Sequence, residues 1–156
     1  MKILVECYHD TAVVRALGIA LRQIGHEHGK GNVLRQLAKQ DDDAVGIIDA
    51  DPGKQNSNPR EFEKYRNEST TQGLQRFVHQ SDQRKILILV NPTVEDWLLS
   101  RAREQQIQLR DYGLPEDARS MHKSPRYDQK LGFRRFLEVL ADSDDGMKTL
   151  KKWLAG

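Results

Sequence analysis

Three short, continuous apolar runs constrain the fold of this 156-residue chain more than any other feature of its sequence. They cover residues 3–5, 44–48 and 86–90. Apolar runs of this length are typical of strands that are buried on both faces of a parallel sheet. Helical patterns follow each run, and the alternation predicts an α/β fold: a Rossmann-like parallel sheet flanked by helices, with right-handed crossovers.

The segments between the runs carry apolar residues at helical spacing. The first helix is expected over residues 13–24, with Gly25 at its C-terminal cap. Asn32 is expected to cap a second, short helix, and Pro59 to lie in the first turn of a third. Apolar residues within 74–78 predict one more helix before the third strand.

The chain is long enough for one domain with a hydrophobic core, and too short for two ordinary ones. Residues 1–105 are expected to form the α/β core, with residues 91–92 capping and starting the helix after the third strand. Residues 106–156 are expected to form a basic, helical C-terminal extension of the same domain. Within it, residues 108–127 are irregular in pattern and residues 131–154 indicate two helices.

Composition excludes several classes of protein. One cysteine rules out an intramolecular disulfide and fits a reducing compartment. No apolar run approaches the ~18 residues needed to span a bilayer, and the first residues lack the apolar stretch of a secretory signal. The chain is therefore expected to be a soluble, cytoplasmic protein without a membrane partner.

Acidic residues follow two of the predicted strands. Glu6 comes directly after the first run, and Asp49 and Asp51 come after the second. Ligands of open α/β sheets bind beyond the carboxyl ends of strands, and residues i and i+2 of an extended chain point the same way. Three anions at one place repel one another unless they share protons or bind a cation. Their oxygen atoms favour Mg²⁺, Mn²⁺ or Ca²⁺ over zinc.

Two of these segments resemble motifs of one family, the Toprim domains. Residues 5–10 (VECYHD) resemble the first Toprim motif, an apolar run followed by Glu-Gly, with Asp four places after the Glu. Residues 47–53 (IIDADPG) resemble its Asp-x-Asp motif. Residues 91–99 are similar to the segment after the third strand in small stand-alone Toprim-like proteins. The resemblance covers roughly residues 1–105, a length typical of a domain. The sequence differs from the family pattern at Cys7, where glycine is usual.

The resemblance implies phosphoryl transfer on nucleic acid that depends on Mg²⁺ or Mn²⁺. It implies a nuclease, acting on DNA in preference to RNA, with a role as a phage-defence or toxin effector. Glu6 would lie near the reacting groups and bind metal, and Asp49 and Asp51 would be metal ligands. Asp10 would bind or support the metal, and Glu95 would lie beside it. A partner ATPase and a homo-oligomer are further expectations.

Each acid also has a simpler interpretation. Asp49 and Asp51 fit a turn, Asp10 fits a helix N-cap, and Glu95 fits the favourable end of a helix dipole. The alternative function is a non-catalytic module that binds nucleic acid or a partner ATPase. A receiver-like domain would need a lone acceptor Asp, and a haloacid-dehalogenase-like phosphatase would need Thr or Val where Gly53 stands.

Residues 119–135 form a basic segment with a single acid, Asp128. Such a local excess of positive charge is expected where a protein contacts phosphate groups, although a solvated helix face is the alternative. Either Lys123 or Lys130 is a candidate for a catalytic lysine that stabilises charge in the transition state. The residues predicted to bind nucleic acid are Arg119, Arg126, Lys130, Arg134 and Arg135.

Overall fold

A computed structural model of the chain describes residues 1–51, 59–124 and 126–156. Within these ranges the strands and helices follow one another along the chain in an α/β order. They are β1 (Lys2–Val5), α1 (Tyr8–Ala16), β2 (Ile24–His26), α2 (Lys30–Ala38), β3 (Ala44–Asp49), α3 (Pro59–Phe62), β4 (Tyr65–Thr71), β5 (Leu74–His79), β6 (Lys85–Val90), α4 (Val94–Glu104), α5 (Ala118–Lys123), α6 (Leu131–Ser143) and α7 (Asp145–Leu154).

The strands form one sheet in the spatial order β2-β1-β3-β6-β5-β4. β2, β1, β3 and β6 are parallel, whereas β5 and β4 continue the sheet in antiparallel pairing. The α/β prediction is confirmed at this level. The sheet is mixed, however, and only the four strands from β2 to β6 are parallel as predicted.

Side-chain alternation along the central strands builds a core on each face of the sheet. In β1, Ile3 and Val5 belong to one apolar cluster, and Leu4 belongs to the other. Gly46 in β3 lets α2 approach closely, because a Cβ atom there would lie 3.0 Å from Val33 and 3.1 Å from Leu37. All three predicted apolar runs are therefore strands covered on both faces, as their unbroken hydrophobicity indicated.

The two C-terminal helices pack into the same core as β1. Phe133 and Phe136 of α6 and Met147 and Leu150 of α7 are buried in the larger apolar cluster, together with Ile3. The predicted pair of C-terminal helices is thus present. Residues 106–156 share a hydrophobic core with residues 1–105, which is the arrangement expected of an extension of one domain.

The prediction of one helix over residues 13–24 was wrong. Helix α1 ends at Ala16, and Gly18 follows with a left-handed φ of 91°. Residues 24–26 instead form strand β2, which pairs in parallel with β1 and places His26 beside Val5. A glycine with left-handed backbone angles is a common helix terminator, and Gly18 ends α1 in this way. The helical spacing of apolar residues beyond Gly18 is therefore a coincidence.

The helix predicted at residues 74–78 is strand β5. It forms a hairpin with β4 around Gln72 and Gly73, whose φ angles are 54° and 75°. Two consecutive left-handed residues are the mark of a tight hairpin turn. The turn packs against α4, since the Trp97 indole N–H donates to the Gln72 carbonyl at 2.8 Å. Two of the three apolar residues of β5, Leu74 and Val78, pack in the larger apolar cluster.

Several predicted helix ends also differ. Gly29 precedes α2, and Asn32 lies within it rather than at its cap. Thr93 caps α4 by accepting from the Asp96 N–H, so the Asn–Pro pair at 91–92 lies outside the helix. Pro59 does begin a short helix, as predicted. The region 108–127, predicted to be irregular, contains α5.

No helix within the described ranges is long and apolar enough to cross a membrane.

Candidate active site

The carboxyl ends of β1 and β3 bring two of the predicted acids together. Glu6 directly follows β1, Asp49 is the last residue of β3, and the two strands are neighbours in the sheet. The Asp49 backbone N–H donates to Glu6 Oε2 at 2.6 Å, which fixes the Glu6 carboxylate against the end of β3. This contact follows from the sheet order, because adjacent parallel strands place their carboxyl ends side by side.

These residues line a cleft of about 510 Å³, here called the carboxylate cleft. Its walls are mainly acidic, with one arginine and one histidine contributed by α5. The lining residues with ionisable side chains are Glu6, Cys7, Asp49, Asp51, Glu95, Asp96, Arg119 and His122. Four of the five acids predicted to bind metal therefore border one space, and the fifth, Asp10, lies beneath it.

Asp49 and Asp51 reach the cleft in different ways. Asp49 Oδ1 accepts from the Val94 N–H at 2.9 Å, which ties the end of β3 to the start of α4. Asp51 lies beyond the strand with a left-handed φ of 45°, so the alternation expected of an extended chain does not apply to it. A lysine absent from the sequence prediction lies here: Lys30 Nζ is 3.9 Å from Asp51 Oδ2 and donates to the Ala50 carbonyl at 3.3 Å.

Asp10 is buried, with 2% of its surface exposed. It occupies the third position of α1 and accepts from the Cys7 N–H at 3.2 Å and from the Cys7 thiol at 3.1 Å. Cys7, not Asp10, is therefore the N-cap residue, and the N-cap interpretation of Asp10 was wrong. Burial and the charge of Asp10 raise the pKa of the Cys7 thiol, so the thiol stays protonated as a donor. Cys7 has an extended φ of −142°, which any residue adopts without strain.

Glu95 lies in the first turn of α4 and is held by two histidines that sequence reasoning missed. Its Oε1 atom is 3.0 Å from Nδ1 of His9 and 3.0 Å from Nδ1 of His122. His9 is buried and its Nε2 atom has no partner among the described residues. His122, on α5, exposes 79% of its side chain. Burial disfavours ionised Glu95, but the hydrogen bonds from His9 and His122 outweigh burial and lower its pKa to about 2.

In Glu6, Asp10 and Asp49, by contrast, burial outweighs the hydrogen bonds and the pKa is raised. Burial raises the pKa of Glu6, and the Asp49 N–H and Lys30 oppose that rise only in part. Burial first, and then the charges of neighbouring acids, raises the pKa of both Asp10 and Asp49. Like charges in a poorly solvated site favour protonation, and a bound cation would reverse this preference.

In the described part of the chain, no three His, Cys, Asp or Glu side chains are grouped in the way that holds a metal ion. The donor chemistry nevertheless suits a hard divalent cation, because carboxylate oxygens of Glu6, Asp49 and Asp51 border one cleft.

Comparison with known proteins adds no relative. No family model, curated protein or solved structure matches the chain.

The basic segment does not form one surface. Arg119 borders the carboxylate cleft. Arg126 and Arg134 line a separate groove, where Arg126 makes two 3.0 Å hydrogen bonds to the Asp128 carboxylate. Lys130 lies 4.4 Å from the centre of the Tyr127 ring.

Three basic residues of the segment lie away from the carboxylate cleft in the described part of the chain. Lys123, Lys130 and Arg135 are exposed, and none of them is among the residues that border the carboxylate cleft. Within the described chain, the lysine that contacts a cleft acid is Lys30. The catalytic roles predicted for Lys123 and Lys130, and the nucleic-acid contact predicted for Arg135, stay predictions.

Proposed function

We propose that this chain is a divalent-metal-dependent nuclease on a Toprim-like α/β fold. The observation that carries the proposal is the carboxylate cleft, which Glu6, Asp49 and Asp51 line at the carboxyl ends of adjacent parallel strands. Raised pKa values at Glu6 and Asp49 support it, because an uncompensated acid cluster has a strong electrostatic demand for a cation. DNA in the cytoplasm is the proposed substrate, with a partner ATPase and self-association as accompanying proposals.

Asp49, Asp51 and Glu6 would hold Mg²⁺ or Mn²⁺, with Glu95 at the edge of the same site. The ion supplies a Lewis acid for phosphate oxygens and a more acidic bound water. Glu6 would also orient the attacking water and accept its proton.

Cationic side chains around the cleft have a separate role. Arg119 on one wall is suited to bind a phosphate oxygen through its planar donors. Lys30 balances the charge of Asp51 and holds the Ala50 carbonyl, which positions the Asp-x-Asp segment. The two histidines keep Glu95 ionised and in place, so Glu95 presents a fixed negative charge to the cleft.

Cleavage of single-stranded and plasmid DNA tests this proposal. The purified chain is expected to cut DNA with Mn²⁺ or Mg²⁺ and to lose this activity with EDTA. Glu6→Gln should lower the rate by a factor of about 10² to 10⁴, the usual contribution of a positioned general base, while DNA binding is retained. Glu63→Gln, an exposed glutamate outside the cleft, is the matched control and should keep the wild-type rate.

Two results would contradict the proposal. Cutting that Glu6→Gln leaves intact would mean that the chemistry occurs elsewhere or in a contaminant. DNA binding without any cutting in either metal would instead favour the non-catalytic module.

A further inference from the structure

A second cavity, of about 490 Å³, lies between α1 and α6 and is here called the side groove. Its floor is apolar and includes Ala12, Ala16 and Leu137. Leu21 forms part of the rim and leaves 58% of its surface exposed, which is unusual for a large aliphatic side chain. A concave apolar surface of this size suits a small planar group and is too narrow for a whole duplex.

Flat side chains stand in a row at one end of the side groove. The Tyr8 ring has the Arg126 guanidinium 3.9 Å from its centre and the His26 ring 4.2 Å away. The His28 ring lies a further 4.0 Å from His26. Asp128 holds Arg126 through two hydrogen bonds, so the guanidinium plane is fixed over Tyr8. Tyrosine and arginine planes are the surfaces on which unpaired bases stack.

Positive charge borders the same groove. Arg15 and Arg134 are exposed and line it, and Arg134 is oriented by the carbonyls of Asp128 and Gln129, each at 3.4 Å. The groove also contains Glu138, and the Asp128 carboxylate is already paired with Arg126. The two arginines without a carboxylate partner in the described chain are thus available to contact phosphate groups beside an apolar floor.

Consecutive residues at the start of α1 line the carboxylate cleft and the side groove. Glu6 and Cys7 line the cleft, and Tyr8, the next residue, lines the groove. Successive Cα atoms are about 3.8 Å apart, so the two cavities are within the span of neighbouring nucleotides. A strand whose phosphate lies at Glu6 would therefore extend one of its adjacent bases toward Tyr8.

We propose that the side groove binds an unpaired nucleotide of single-stranded nucleic acid, next to the phosphate held at the carboxylate cleft. This inference rests on the proposed function and specifies its substrate as single-stranded. The base packs on the apolar floor and stacks on the exposed Arg126 guanidinium, which lies over the Tyr8 ring, and Arg15 and Arg134 contact the flanking phosphates. Duplex is excluded from this mode of binding because both faces of a paired base are already stacked in the helix.

The test measures binding and not cleavage, with a fluorescent oligothymidylate of about ten nucleotides titrated in EDTA at several salt concentrations. Tyr8→Ala removes the ring that supports the Arg126 guanidinium and is expected to weaken binding by roughly 5- to 150-fold, the effect of losing one stacked base. Tyr8→Phe keeps the ring and should stay within about twofold of wild type. Arg134→Gln should lower the salt slope by about 0.7, and the exposed control Arg110→Gln should leave it unchanged.

An oligomer of the same length without bases guards against a folding defect in Tyr8→Ala. It should bind the wild type more weakly than oligothymidylate does, and Tyr8→Ala should not weaken it further. Equal affinity of wild type and Tyr8→Ala for oligothymidylate would overturn the inference, as would tighter binding of duplex or no binding of single strands. Asp49→Asn should abolish cutting and retain this binding, so failure of the nuclease proposal and failure of the groove assignment give different results.

Discussion

The stability of Asp49→Asn as a function of pH offers a direct measure of the repulsion in the carboxylate cleft. Asparagine keeps the Oδ1 atom that accepts from the Val94 N–H, so the substitution removes charge and leaves that hydrogen bond possible. Burial and neighbouring acids raise the pKa of Asp49 in the folded chain above its ordinary value near 4. Below pH 4 the residue is protonated in both the folded and the unfolded chain, and the variant and the wild type should be equally stable.

The sign of the effect at higher pH follows from proton linkage. As pH rises above 4, the unfolded chain releases the Asp49 proton and the folded chain retains it, so the wild type loses stability. Each pH unit costs at most about 1.4 kcal/mol, and the three units up to pH 7 therefore set an upper limit of about 4 kcal/mol. Partial solvation of the cleft reduces this, and we expect Asp49→Asn to be more stable by about 1–2 kcal/mol at pH 7.

In a chain of 156 residues, that gain corresponds to a melting temperature higher by roughly 2–8 °C at pH 7. Thermal melts followed by circular dichroism between pH 4 and pH 8 would show this increase in melting temperature. Asp42 is exposed, and Asp42→Asn is the control whose difference from the wild type should not change with pH. In Mg²⁺ the wild type should gain stability, more so at pH 8 than at pH 6 because binding displaces protons, and Asp49→Asn should not. A difference between variant and wild type that does not grow from pH 4 to pH 7 would refute the assigned repulsion.

Two further predictions concern the hairpin and the basic segment. Gly73→Ala should lower the free energy of unfolding by about 1–3 kcal/mol, because residue 73 has a φ of 75° and a Cβ atom would lie 2.9 Å from Trp97. Chemical denaturation measures this change, and an unchanged midpoint would contradict the turn geometry. Changing Arg126, Lys130 and Arg134 to Ala together should lower the slope of log K against log salt for binding of single-stranded DNA by about 1–2. Three free charges would give a larger change, but Arg126 is already paired with the Asp128 carboxylate. A slope equal to that of the wild type would identify this segment as a solvated face.

The sequence predicted the position of the acids better than the details of the fold. Glu6, Asp49 and Asp51 could be placed because each follows an apolar run, and parallel strands end at one edge. The hairpin was missed because Leu74, Phe77 and Val78 fit a helix as well as they fit a strand. Short apolar segments do not distinguish these periods without the turn that precedes them.

The missed site residues have a common cause. Strand β2 lies in a segment that the apolar spacing predicted to be helical. The residues that follow this strand were therefore not considered as site residues. Lys30 begins the helix after it and reaches Asp51 from there. His122 lies on α5, in a region without a periodic pattern, and its contact with Glu95 spans 27 residues. Such contacts depend on tertiary packing, and no local signal in the sequence records them.

The two sides of the carboxylate cleft differ in how firmly they are attached to the fold. Glu6 and Asp49 lie at the ends of central strands whose residues Val5 and Ile48 are almost wholly buried, so their backbone positions are set by the sheet. Helix α5, which brings Arg119 and His122, has six residues and buries only Met121. Local opening of α5 therefore requires far less free energy than global unfolding. Arg119 and His122 therefore depend for their positions on one short helix, whereas the carboxylates of Glu6 and Asp49 are positioned by the central strands.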